Sequence, residues 1–145
     1  MESWVLSWEN AIQKVDPYEV LKRVLISHHV DIIELNQEQL GKGIKSTGER
    51  LAPYSPAYAK IRAKKGLQTA NTDFKVKGDF WDGIYANPSK LETIIGSRDF
   101  KEKFLEKRDG KDVFSLTPES IEKLLWERGV ADDFITEYTN ALIAA

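Results

Sequence analysis

The stretch Asp73-Phe74-Lys75-Val76-Lys77-Gly78-Asp79-Phe80-Trp81-Asp82-Gly83-Ile84-Tyr85-Ala86-Asn87-Pro88-Ser89-Lys90-Leu91-Glu92-Thr93-Ile94-Ile95-Gly96 decides the fold class. From Asp73 to Lys77 apolar and polar residues alternate, the period of a half-buried strand. Gly78 to Gly83 reads as a turn or one helical turn. Ile84-Tyr85-Ala86 and Leu91 to Gly96 then flank Asn87-Pro88-Ser89-Lys90, which suits an antiparallel hairpin with a four-residue connection.

On both sides of this stretch the apolar period becomes helical. Residues 17 to about 41 read as one long helix, with Asp16 as N-cap, Pro17 in the first turn and Glu19 completing an Asp-led capping box. Its stripe is Leu21, Val24, Leu25, His28, Ile32 and Leu35, and Gly41 and Gly43 end it. Ahead of it, residues 3 to 14 form a short helix capped by Ser3, with Trp4, Trp8, Ala11 and Ile12 on one side. Those tryptophans serve either the core or a neighbouring subunit's groove.

Residues 42 to 53 form a loop, and Ser55-Pro56 opens a helix that runs through Lys64 and stops at Gly66. Downstream, residues 99 to 107 form a charged helix ended by Asp109-Gly110, and Val113-Phe114-Ser115-Leu116 is extended. Thr117-Pro118 starts a helix ended by Gly129, and residues 131 to 143 form the last one. The expected architecture is one α+β domain over residues 1–145, with a long N-terminal helix, a small antiparallel sheet in the middle and C-terminal helices.

Composition sets limits on function. At 41% hydrophobic and 30% charged residues, the chain can bury a core and solvate its surface, which excludes wholesale disorder. A net charge of −2 does not by itself call for nucleic acid. Without cysteine there is neither a disulfide framework nor a thiolate metal site. Met1-Glu2-Ser3-Trp4 lacks the basic-then-apolar order of a signal peptide, and no apolar run approaches the roughly 18 residues of a membrane span. The expectation is a soluble protein that stays in the cytoplasm of the cell that makes it, with no membrane partner.

Chemical motifs fail on inspection. His28 and His29 are adjacent, so on a helix they point about 100° apart and cannot grip one ion together. A half-buried, hydrogen-bonded His28 is the better reading. Gly41-Lys42-Gly43-Ile44-Lys45-Ser46-Thr47-Gly48 lacks the lysine that a phosphate loop needs after its last glycine; Glu49 stands there. Asp79 and Asp82, and the adjacent Asp132 and Asp133, read as turn and cap residues rather than a catalytic pair. The expectation is a non-enzymatic protein without cofactor or metal; an enzyme with an unrecognised site near Asp79, Asp82 or the histidines is the alternative.

Charge is unevenly spread. From Lys42 to Lys65 there are seven basic residues and one acidic; from Thr117 to the end there are six acidic and two basic. Three readings stand open: solvated faces, complementary patches that meet across copies, and a DNA-facing stretch. Tyr54 and Tyr58 interleave with the basic residues.

Residues 37 to 85 carry a resemblance. A glycine-ended helix is followed by Leu51-Ala52-Pro53-Tyr54-Ser55-Pro56-Ala57-Tyr58-Ala59-Lys60-Ile61-Arg62, then Lys65-Gly66, then Asp73 to Trp81. This resembles small phage and prophage neck or tail-completion (virion morphogenesis) proteins, including those of Bacteroidetes phages. That family often has threonine where Lys77 precedes Gly78, and the charged C-terminal third has no counterpart in it. The resemblance implies a virion subunit at the head–tail junction, in the neck or tail. Its partners would be portal or connector, tail-tube or neck subunits, and copies of itself in a ring. The alternative is a nucleic-acid-binding accessory protein that uses Lys42 to Lys65. The residues expected at a partner interface are Trp4, Trp8, Tyr54, Tyr58, Lys60, Arg62, Lys64, Phe80 and Trp81.

Overall fold

The computed structural model describes residues 2–75, 77–99 and 101–145, with side chains from residue 8 onward. Helices α1 (Glu2–Lys14), α2 (Pro17–Ser27) and α3 (His29–Gly41) come first, followed by α4 (Pro56–Lys64) and the single turn α5 (Asp79–Asp82). Strands β1 (Ile84–Pro88) and β2 (Thr93–Ser97) form the sheet. After them come α6 (Glu102–Asp109), a 3₁₀ turn (Lys111–Phe114), α7 (Pro118–Glu122) running into a π turn (Lys123–Glu127), and α8 (Val130–Ala144). The class is α+β, as expected.

The helix starts follow local chemistry. Asp16 accepts the Tyr18 amide at 2.9 Å and Pro17 sits in the first turn of α2. Ser55 accepts the Tyr58 amide ahead of Pro56, and Thr117 accepts the Ser120 amide ahead of Pro118. Each cap satisfies an amide that would otherwise lack a partner in the first turn. Ser3 is no cap; it lies inside α1.

The long N-terminal helix is a correction: the apolar stripe continues past Ser27, but the helix does not. The Ser27 hydroxyl donates to the Val24 carbonyl at 2.6 Å, and His28 sits at φ −102°, ψ 16°, outside helical geometry. Side-chain competition for a helix carbonyl is a known cause of bending. Val24 and Ile32 still reach the same core.

The strand expected at Asp73 to Lys77 is also absent. Asp73, Phe74 and Lys75 are irregular, and Val76 lies outside the described residues. The Asp73 carboxylate accepts the Lys75 amide at 2.9 Å, which curls the backbone back, and Phe74 takes φ 58°. Val113-Phe114 is likewise a 3₁₀ turn rather than extended chain.

The hairpin is present and its first strand starts at Ile84 as expected, but the four-residue connection, residues 89–92, lies two positions further along than the pattern suggested. Ile84 pairs with Ser97, Ala86 with Ile95 and Pro88 with Thr93. Ser89 closes the turn through its amide and hydroxyl to the Glu92 carbonyl, at 2.7 and 2.8 Å.

Two apolar clusters share the interior. Val24, Ile32, Leu35, Leu124 and Val130 form the helical one. Leu40, Leu51, Phe80, Ile84, Val113 and Phe114 form the other. Helix α3 runs through both, and Ile95 packs against both. Gln39 on α3 donates to the Ser115 carbonyl at 2.8 Å and accepts the Thr117 amide at 2.9 Å, so it pins the segment that joins the two cores. Buried amide side chains persist when paired in this way.

Candidate functional site

Three of the interface residues singled out from the sequence, Tyr54, Arg62 and Trp81, fall around one buried carboxylate that sequence reasoning missed, Asp73. Its Oδ1 accepts the Tyr54 hydroxyl at 2.8 Å and the Arg62 guanidinium at 3.1 Å; its Oδ2 accepts Gln68 Nε2 at 2.6 Å. The Asp73 carbonyl accepts the Trp81 indole N–H at 2.7 Å. Burial raises the Asp73 pKa, but these donors and the Arg62 charge outweigh it and hold the carboxyl below its ordinary range.

Arg62 is only 1% exposed, so its expected place at a partner interface is a correction. It donates to the Gln68 carbonyl at 2.9 Å and the Lys75 carbonyl at 3.2 Å, and lies 4.3 Å over the Tyr54 ring. A planar fork bonded on several sides and stacked on an aromatic is an arrangement lysine cannot reproduce. Phe80 is a second correction: at 2% exposed it lies edge-on to Phe74, ring centres 5.3 Å apart. Trp81 is half-buried, with the Lys75 ammonium 5.2 Å from its ring centre.

Four of the remaining expected residues face outward. Lys60, Lys64 and Tyr58 are exposed on α4, together with Ile61. Trp8 is exposed on α1 and is not part of this cluster, and the Trp4 side chain lies outside the described residues. Beside α4 a cavity of about 470 Å³ opens between Tyr54, Tyr58, Phe74 and Leu105, with Lys101 and Arg108 also lining it. Two of the cations that line it are paired, Arg62 with Asp73 at 3.1 Å and Arg108 with Asp109 at 2.6 Å.

Gly43, before α4, serves packing. Gly43 has φ +68°, and a Cβ there would meet Asn71 Cβ at 2.9 Å and the Thr72 carbonyl at 3.1 Å. The amides of the Gly41–Gly48 loop are engaged internally: Lys45 to Glu49, Ser46 to Asp112 and Gly48 to Lys45, all at 2.8–2.9 Å. A phosphate cradle needs such amides pointing outward.

The histidine expectation holds in part of its chemistry. His28 Nδ1 lies 2.8 Å from Asp31 and its Nε2 2.6 Å from Asp133, tying the α2–α3 break to the start of α8. Arg128 joins them, donating to Asp31 at 2.9 Å and Glu34 at 2.8 Å. Burial disfavours the charged imidazole, but the hydrogen bonds to Asp133 and Asp31 prevail and raise the His28 pKa. Among the described residues no group of three or more His, Cys, Asp or Glu side chains could hold a metal ion. No helix among them is long and apolar enough to cross a membrane.

Charge divides with the fold. Residues 42 to 111 carry sixteen basic and nine acidic side chains, net +7; the rest of the chain carries five basic and fourteen acidic, net −9. The basic part contains α4 and α6, and the acidic part contains α1–α3, α7 and α8.

No family model, no curated protein and no solved structure matches this chain.

Proposed function

We propose that this chain is a virion structural subunit of a tailed phage or prophage, placed at the head–tail junction in the neck or tail-completion region. It works by contact with portal or connector, tail-tube or neck subunits and with copies of itself, and catalyses no reaction. The observation that supports this reading is the presentation of α4. The segment that carries the family resemblance is tethered through buried Arg62 and turns Tyr58, Lys60, Ile61 and Lys64 outward. An exposed aromatic, an exposed aliphatic and two lysines on one short helix are surface that subunit contact buries.

The test is co-expression with the portal, tail-tube and neck proteins of the phage or prophage that encodes the chain. A tagged chain should capture at least one of them, and Lys60→Glu with Lys64→Glu should reduce the yield. Capture of none would count against the assignment.

The net +7 of residues 42 to 111 favours a second reading, a nucleic-acid-binding accessory protein. It calls for salt-sensitive binding to duplex DNA, lost on charge reversal at Lys60, Lys64 and Lys65. Arg62 is the wrong residue for that experiment, since its reversal would break the fold. No binding at low salt eliminates this reading.

A further inference from the structure

We propose that the outer edge of β2 is a docking site for an extended segment of a partner protein, which adds a third strand to the sheet and lowers an aliphatic side chain into the apolar groove beside it. In the hairpin the Arg98 amide reaches the Gly83 carbonyl at 2.9 Å and the Ser89 amide reaches the Glu92 carbonyl at 2.7 Å. Antiparallel pairing alternates. Residues 94 and 96 therefore bond to β1, while the amides and carbonyls of Thr93, Ile95 and Ser97 point away from it. The Ser97 amide is met by Glu102 Oε1 at 3.3 Å. Thr93 and Ile95 have no such partner among the described residues.

Sheet edges are ordinarily blunted by charge, by proline or by a covering element. Strand β2 has neither a charged residue nor a proline. Helices α2 and α3 pack against β1, but among the described elements no helix packs closely along β2. The open stretch borders a groove of about 290 Å³. Thr93 and Ile95 form one wall, and Leu25, Leu116, Ile121 and Leu125 form the others. No charged side chain lines it, and neither does any residue of β1, so the groove follows the outer side of β2. On the opposite face of the strand Ile94 is 50% exposed. An added strand sends alternate side chains to the two faces. One aliphatic residue then fills the groove while its neighbour covers Ile94.

Open amides and carbonyls beside an apolar slot specify the occupant: a peptide backbone with aliphatic side chains at alternate positions. A helix has its backbone groups already bonded, and a small apolar molecule has none to offer. A second copy of this chain does not supply the strand. Its β1 is covered by α2 and α3, and its β2 holds Ile95 against its own two apolar clusters. The groove contains no residue of α4, which supports the virion assignment, and strand addition needs no virion. The two can therefore fail separately.

The test is an NMR titration of the isotope-labelled full chain with a synthetic octapeptide of alternating valine and threonine, with a lysine at each end. At saturation the peptide should shift the Thr93 and Ile95 amides and slow their hydrogen exchange about tenfold or more. Thr93→Pro removes an outward amide without taking a bond from β1, since Thr93 lies opposite Pro88. It should weaken binding about tenfold with the hairpin intact. Ile121→Asp puts a charge at the exposed rim of the groove and should weaken binding by a similar factor. Peptide at millimolar concentration that leaves the Thr93 and Ile95 amides unmoved overturns the proposal, as does binding that either variant leaves unchanged. So does protection of these amides in the free chain that rises with protein concentration, because a second copy would then be the occupant.

Discussion

Asp73 holds Arg62 at 3.1 Å inside the protein, eleven residues along the chain, and the bond ties α4 to the segment that follows it. Both side chains are buried, and each is the other's charge partner.

Removing either partner leaves an uncompensated charge in the interior. Arg62→Ala and Asp73→Asn should each cost about 3–5 kcal/mol. Arg62→Lys should recover little, because an ammonium cannot serve the Asp73, Gln68 and Lys75 acceptors as the guanidinium does. Urea unfolding midpoints would show this, and a midpoint unmoved by Arg62→Ala would mean that the pair does not hold α4.

Gly43→Ala combines a left-handed backbone with a Cβ placed 2.9 Å from Asn71 Cβ. Gly48→Ala meets the same backbone penalty in open space. The backbone part costs about 1–2 kcal/mol in both, so Gly43→Ala should be the more destabilising of the two. Equal losses in thermal melts would rule out the close approach.

His28 gives the fold a pH dependence of definite sign. Both ring nitrogens face carboxylates, from Asp31 and Asp133, so the doubly protonated ring is the favoured form. Its pKa is raised on folding. The stability it contributes is therefore complete below the ordinary imidazole value of about 6.5 and is lost as pH rises through the raised value. The melting temperature should fall over that interval, and His28→Gln should flatten the fall. Asp31 and Asp73 act in the opposite direction: their lowered values add stability above the ordinary carboxylate range that is lost as pH falls through them.

Phe80 and Lys60 separate core from surface. Phe80→Ala should cost about 3–5 kcal/mol, as for a large aromatic removed from a packed interior. Lys60→Glu with Lys64→Glu should leave the unfolding midpoint in place while reducing capture of partners. A large loss of stability from the lysine pair would show that α4 does not face outward.

The features legible in the sequence were the local ones. Asp16-Pro17, Ser55-Pro56 and Thr117-Pro118 carry their own start signals, and the hairpin announces itself through the apolar run at Ile94-Ile95, although Asn87 and Pro88, read as its turn, lie in β1. The break at His28 was hidden because the apolar period runs through it unchanged. The Asp73 to Lys77 alternation misled because a side chain, Asp73, claims the Lys75 amide that a strand would have paired. Arg62 read as solvent-facing because its partner lies in an irregular segment that periodicity does not reach. The one available signal was its position four residues after Tyr58, on the turn of helix that faces Tyr54.

The most direct measurement is mass spectrometry of phage particles purified from an induced culture of the strain that carries the gene. If the chain is a virion subunit, it should be present in every intact particle at a fixed ratio to the portal protein. Intact, infectious particles that lack it would overturn the assignment.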